Sequence, residues 1–234
     1  MKTAVIIVAG GTGSRMGTET PKQFLLLTGK PLLMHTIERF ADTLPGAGLI
    51  VVLPEDQQVH WAALCEQYDF TIEHTVVTGG KTRFHSVRNA LPETKGYDYI
   101  GVHDGVRPLV TPQVIRRTLD AAQDFGAAIP VVPLQDSLRE IIRCGECQDM
   151  SEIIDSKPAD RNRFVAVQTP QFFRANLLLK TYEQDYTPGF TDDASVVESS
   201  GQTVTLVPGN AANIKVTTPV DLTIAGVLLE KEGE

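Results

Sequence analysis

The chain has 234 residues, 42% of them hydrophobic and 21% charged, with a net charge of -8 at pH 7. Those values fit a folded globular chain long enough for a full core, and the acidic balance argues against a nucleic-acid partner, which would draw on clustered Lys and Arg. No apolar run approaches the ~20 residues that span a bilayer, and Thr3–Val8 is too short for a signal-peptide core of about 7–15 residues, so a cytoplasmic chain without membrane association is expected.

The first apolar run, Ala4–Val8, reads as a buried strand and opens into Ala9-Gly10-Gly11-Thr12-Gly13-Ser14-Arg15-Met16-Gly17, with Lys22 following Pro21. Glycines let backbone N–H groups approach an anion closely, and Arg15 and Lys22 add two fixed positive charges. That combination suits a triphosphate. The dinucleotide fingerprint G-x-G-x-x-G does not fit, because the third glycine position from Gly11 and Gly13 is Met16, and the acidic residue expected about 20 residues on is missing.

Pro31-Leu32-Leu33 starts a helix with Leu33, Ile37, Phe40 and Leu44 inward. Leu49–Leu53 is a second strand, and Glu55–Tyr68 a helix with Val59, Ala63 and Cys65 on its inner face. Thr71–Val77 is a third strand ending in Thr78-Gly79-Gly80, followed by a helix over Thr82–Leu91. Tyr97–Val102 is a fourth strand, ending in His103-Asp104-Gly105-Val106-Arg107-Pro108. Thr111-Pro112 caps and starts the next helix, and Ala127–Val132 is a fifth strand. Such alternation predicts one α/β domain over 1–234, a mostly parallel sheet with helices on both faces.

Between Gln135 and Asn162 the alternation stops. Asp136–Arg143 and Met150–Lys157 read as an antiparallel β-hairpin arm over 136–162, around a Cys144-Gly-Glu-Cys147 turn. A zinc site there lacks a second ligand pair, and a redox pair would open a helix. A two-stranded ribbon is marginal alone in water, which points to packing on a second subunit. Phe164–Gln168, two helices, strand Thr203–Val207 and a helix from Thr218 complete the chain.

Ligands of open α/β sheets sit outside the carboxyl ends of the strands. This edge collects Lys22, Gly79-Gly80-Lys81-Thr82-Arg83, Ser86, Asp104, Arg107, Arg161, Thr169 and Lys215. Several cations around one carboxylate suit a pair of anionic substrates with Mg²⁺, which takes one or two carboxylates plus phosphate oxygens.

Six ordered motifs carry a resemblance: the glycine loop with Pro21-Lys22-Gln23-Phe24, Gly79-Gly80-x-x-Arg83-x-x-Ser86-Val87, Val102–Pro108, Gln168-Thr169-Pro170-Gln171-Phe172-Phe173, Thr191-Asp192-Asp193-Ala194-Ser195 and Asn213-Ile214-Lys215-Val216-Thr217. Together they resemble the sugar-phosphate cytidylyltransferases, the 2-C-methyl-D-erythritol 4-phosphate family in particular. The resemblance implies a three-layer, Rossmann-like nucleotidyltransferase fold, a homodimer clasped by the arm, and transfer of CMP from CTP to a polyol phosphate with Mg²⁺. It places Arg15, Lys22, Arg161 and Lys215 in catalysis, with Arg161 reaching across the dimer. Ala9, Gly10, Gly11, Thr12, Gly13, Gly80, Arg83 and Ser86 fall at CTP. Asp104 falls at the metal and, with Arg107, Ser137 and Thr169, at the acceptor. Gly105-Val106 departs from the alanines usual in this family, which leaves a ribitol 5-phosphate acceptor open. A nucleotide-binding regulatory protein on the same scaffold would bind CTP without releasing pyrophosphate. His103, beside Asp104, reads as structural.

Overall fold

The computed structural model describes residues 1–10, 20–144 and 153–232. Its centre is a sheet whose middle strand, β1 (Thr3–Val8), runs parallel to β4 (Gly48–Leu53) and β6 (Tyr99–Asp104) on either side. β5 (Thr75–Thr78) extends the sheet beyond β4 in the same direction. The register brings the ends of these strands level: Val8 lies opposite both Val52 and Asp104, and Leu53 opposite Thr78.

Alternating side chains of these strands enter two separate cores. Val5, Ile7, Val51 and Leu53 pack under α1 (Leu32–Thr43), α2 (Gln58–Gln67) and α4 (Pro112–Phe125). Ala4, Ile6, Ile50 and Val52 pack under α3 (Arg83–Ala90), α5 (Ala175–Thr181) and α6 (Asp193–Glu198). The period of two along a strand buried on both faces explains the unbroken apolar runs. The three-layer α/β plan expected from the alternation is therefore the one observed.

The other half of the sheet is mixed. β7 (Ala127–Pro133) pairs in parallel with β12 (Thr205–Pro208) on one edge. β11 (Gln171–Arg174), read in the sequence only as part of a motif, is a strand inserted antiparallel between β6 and β7. β10 (Val165–Val167) continues along β7, and Gln168–Pro170, with a cis Thr169–Pro170 peptide, separates β10 from β11. That interruption brings Gln168 and Thr169 to the level where β6 ends. A short pair, β2 (Leu26–Leu27) with β3 (Lys30–Pro31), precedes α1, and α7 (Pro219–Glu232) packs on it through Leu27 and Ala225.

Two readings of the sequence are corrected. The third strand begins at Thr75, not Thr71, because His74 turns the chain: its Nδ1 donates to the Ile72 carbonyl at 2.7 Å while its Nε2 accepts from Trp61 Nε1 at 3.0 Å. That same bond, with Trp61 stacked on Phe24 at 5.9 Å, fixes the face α2 buries. The inner stripe is Trp61, Leu64, Cys65 and Tyr68, and Val59 is 82% exposed.

The arm is as expected, β8 (Leu138–Cys144) antiparallel to β9 (Ile153–Ala159), from Leu138 opposite Ala159 to Cys144 opposite Ile153. It forms its own two-stranded sheet. Its turn, with Cys147, lies outside the described residues.

Candidate active site

Each parallel strand hands its last hydrogen bond to the residue that starts a loop: Ala9 N to Val52 O, Gly79 N to Leu53 O and Gly105 N to Val8 O, at 2.8–2.9 Å. The loops therefore leave the sheet from one fixed level. Gly80 is where a side chain has no room, since a Cβ would lie 2.4 Å from His85 Cβ and 2.8 Å from its backbone carbon. The Gly80 N–H donates to Ser86 Oγ at 3.0 Å, and Thr82 caps α3 by accepting from His85 N. The glycine pair is thus folded against the first turn of α3.

This edge carries two chambers. One, about 330 Å³, is lined by Ala9, Gly10, Lys22, Gly80, Ser86 and Val106. The other, about 250 Å³, is lined by Arg107, Gln168, Thr169, Gln171, Thr191 and Asp192. Arg83, Asp104 and Lys215 line both. Lys22 and Lys215, separated by nearly the whole chain, face the same 330 Å³ space. The larger hollow of about 510 Å³ beside Arg174 and Lys180 has no carboxylate in its wall and lies away from this edge.

Asp104 is the hub. Lys215 Nζ lies 3.0 Å and Arg107 Nε 3.2 Å from its Oδ2, while Arg83 Nε is 3.5 Å from its Oδ1. Burial opposes the charge, but Arg83, then Lys215 and Arg107, outweigh it and hold the carboxyl well below the ordinary carboxylate range. Arg107 is held from behind as Nη1 donates to the Asn213 carbonyl at 2.9 Å.

Behind Asp104 a hydrogen-bond chain fixes every proton. His103 Nε2 faces the Arg107 carbonyl at 3.1 Å, so that nitrogen carries the hydrogen. Its Nδ1 then accepts from Thr169 Oγ1 at 2.9 Å, and Thr169 Oγ1 accepts from Asp104 N at 3.1 Å. Burial drives the His103 pKa down to about 3. The imidazole is a structural group, as its position in the sequence suggested. Thr169 lines the smaller chamber, but its hydroxyl proton is committed to His103 and so it holds Asp104 in place.

The structure brings together most of the residues singled out in the sequence. Ala9, Gly10, Lys22, Gly80, Arg83, Ser86, Asp104 and Lys215 share the larger chamber, and Arg107 and Thr169 join the smaller one. Arg15, Gly11, Thr12 and Gly13 lie outside the described residues. Arg161 and Ser137, exposed at the base of the arm, line neither chamber; Arg161 Nη1 donates to the Gln135 carbonyl. The larger chamber is also lined by Gln23, whose neighbour Lys22 carried the signal, and by Val106, which the sequence offered as a departure and not as a site residue. The Gly105-Val106 departure sits on the side of the larger chamber. Val106 packs with Leu109 and Val216, and a Cβ on Gly105 would come within 3.0 Å of Ala9 Cβ. Val106 is absent from the wall of the smaller one.

For a divalent cation the donor set is spare. Among the described residues no cluster of three or more His, Cys, Asp or Glu exists, and Asp104 is the carboxylate common to both chambers. Its Oδ1, with its nearest cation at 3.5 Å, is the less engaged oxygen. One ionised carboxylate fits Mg²⁺ that takes its remaining ligands from phosphates and water.

A glycine-opened chamber that shares its cations with a second, smaller anion chamber is the plan of a nucleotidyltransferase, an enzyme that joins two phosphate-bearing substrates. The family model described as IspD: 2-C-methyl-D-erythritol 4-phosphate cytidylyltransferase matches residues 3–231, and the chain belongs to that family. It is similar to the 2-C-methyl-D-erythritol 4-phosphate cytidylyltransferase of Bacteroides thetaiotaomicron, 49% identical over 229 residues, covering 98% of this chain and 100% of the relative. Among solved structures, 4-diphosphocytidyl-2C-methyl-D-erythritol synthase from Anaerococcus prevotii superposes with a TM-score of 0.78 at 25% identity, covering 98% of this chain and 96% of the other. The 2-C-methyl-D-erythritol 4-phosphate cytidylyltransferase of Thermus thermophilus gives 0.73 at 30% identity, covering 98% and 100%.

Proposed function

We propose that this cleft transfers the CMP unit of CTP to the phosphate of 2-C-methyl-D-erythritol 4-phosphate, giving 4-diphosphocytidyl-2-C-methyl-D-erythritol and pyrophosphate. The observation that carries the reading is the meeting of two chambers at Asp104, with Arg83 and Lys215 in both walls. Family membership favours methylerythritol phosphate over ribitol 5-phosphate as acceptor.

The acceptor phosphate is already an anion, so no protein nucleophile or general base is required. One of its oxygens bonds to the α-phosphorus of CTP as the bond from that phosphorus to the α,β-bridging oxygen breaks, and pyrophosphate leaves with the electron pair. The barrier lies in bringing two anions together and in charge gathering on the leaving group, so catalysis is positioning and electrostatics. Lys22, with Arg15, neutralises the triphosphate. Lys215 and Arg107 hold the acceptor phosphate beside Asp104. Gly80 and Ser86 shape the base end of the nucleotide chamber. Asp104 would hold Mg²⁺, which when bound supplies Lewis-acid charge to the phosphate oxygens.

The arm makes the enzyme a homodimer, in which Arg161 of the partner subunit completes the acceptor chamber. Exposed Ile141 and Ile142 on β8 and Phe164 beside β10 support this pairing. No described helix is long and apolar enough to cross a membrane, and with the net charge of -8 this supports a cytoplasmic enzyme without a nucleic-acid partner. The test is pyrophosphate release with CTP and Mg²⁺ against each acceptor. Release with methylerythritol phosphate at least tenfold faster than with ribitol phosphate is expected; the reverse order would reassign the acceptor, and no release with either would refute the transferase.

A further inference from the structure

Arg83 walls both chambers, yet what fixes it lies outside them. Its Nε is 3.5 Å from Asp104 Oδ1, too long to orient a guanidinium. Its Nη2 is 2.6 Å from Asp193 Oδ2. Asp193 has no exposed surface, and its other oxygen, Oδ1, accepts from Tyr182 Oη at 2.6 Å. A buried carboxylate is costly unless it is paired. Here both oxygens are engaged, neither of them with a substrate chamber.

From these contacts we propose, on the basis of the transferase reading above, that Tyr182 and Asp193 are positioning residues for the reaction: they clamp Arg83 where the two chambers meet and keep it from closing on Asp104. The clamp is built from three helices on one face of the sheet. α3 supplies Arg83, the residue after α5 supplies Tyr182, and α6 begins at Asp193. Phe84, next to Arg83, stacks on the Tyr182 ring with centroids 4.7 Å apart and planes 16° from parallel. The start of α6 is itself rigid. Asp192 and Ser195 form a reciprocal cap, and Gln171 from β11 donates to Asp192 Oδ2 at 2.7 Å and accepts from Ala194 N at 2.9 Å.

The clamp also couples the substrates. Thr191 and Asp192, immediately before Asp193, wall the smaller chamber, and Arg83 lines both. Asp104 and Asp193 together carry two negative charges against the three positive charges of Arg83, Arg107 and Lys215. Without the clamp Arg83 is free to fold onto Asp104 and remove the carboxylate from the reaction. The loss then falls on turnover, since the phosphate-binding cations Lys22, Arg107 and Lys215 are left in place.

Asp193→Asn keeps the volume and the acceptor for Tyr182 while removing the charge that anchors Arg83. Its kcat is expected to fall about tenfold or more, with KM for CTP and for the acceptor changed less than about twofold; Tyr182→Phe is expected to lose several-fold. Arg83→Lys combined with Asp193→Asn should be no slower than the worse single variant, as for residues acting as one unit. Losses that multiply in the double variant would overturn the clamp, as would a matching kcat loss in Leu119→Ala, a core truncation on the opposite face of the sheet. Should Asp193→Asn not fold, Tyr182→Phe carries the same test. A second readout is independent of turnover: hydrogen exchange at the Arg83 guanidinium, followed by NMR, should be slow in the unmodified chain and at least tenfold faster in Tyr182→Phe. If the unmodified chain releases no pyrophosphate, the transferase reading fails while this exchange still decides the clamp; equal exchange in both proteins overturns it.

Discussion

Lys22 lines the larger chamber beside the glycines that end β1, and its charge is placed before any substrate arrives. Removing one pre-organised group of this kind typically costs ~10²–10³ in turnover, so Lys22→Ala should lose that much kcat at saturating CTP. Near-normal turnover would remove Lys22 from catalysis. A second consequence concerns acid. His103 stays neutral in the folded chain down to about pH 3, whereas the unfolded chain protonates it near 6.5. The unfolded state therefore holds the extra proton, and the stability present above pH 6.5 drains away as pH falls toward 3. The depressed Asp104 carboxyl adds a further loss below about pH 4. The His103 part is on the order of a few kcal/mol. Thermal midpoints measured from pH 7 to pH 4 should fall steeply, and His103→Gln should start lower and flatten the slope. Parallel slopes for the two proteins would mean that His103 is not the neutral buried group described.

At the level of elements, what the sequence made legible was whatever repeated with the period of an element. The strands of the parallel half could be read because burial on both faces gave runs such as Val5-Ile6-Ile7-Val8, and α4 because Thr111-Pro112 marks its start and its Thr111 cap is realised. Gly80 and Ser86 were legible as a motif, and the tight fit of Gly80 on His85 explains the glycine. Gly80→Ala should force the first turn of α3 away, raising KM for CTP at least tenfold and costing about 1–3 kcal/mol of stability; an unchanged KM in steady-state assays would separate this turn from nucleotide binding. The rest was hidden for physical reasons. β11 is only four residues long, too short for a pattern. The face of α2 is set by the bond between Trp61 and His74, which turns Trp61, Leu64, Cys65 and Tyr68 inward and leaves Val59 outside. Tyr182 reveals no role in sequence because its partner, Asp193, is brought to it by the packing of α5 on α6.

For the whole molecule, Arg161 and Ser137, at the base of the arm, line neither chamber of their own chain. A shared site makes a direct demand: Arg161→Ala and Lys22→Ala subunits, each inactive as homodimers, should regain activity when mixed, because one of the two sites then carries neither defect. Up to about a quarter of normal activity is expected from random re-pairing (half the dimers mixed, one intact site in each). No recovery would confine each site to one chain. The central relation, two anions joined where the chambers meet, is tested most directly by a crystal structure. It would contain the protein, Mg²⁺, methylerythritol phosphate and a CTP analogue whose α,β-bridge resists cleavage. An acceptor phosphate oxygen is expected about 3–3.5 Å from the α-phosphorus, in line with the bridge, with Asp104 and Lys215 flanking them. A nucleotide bound outside the 330 Å³ chamber, or two substrates on opposite sides of the sheet, would contradict it.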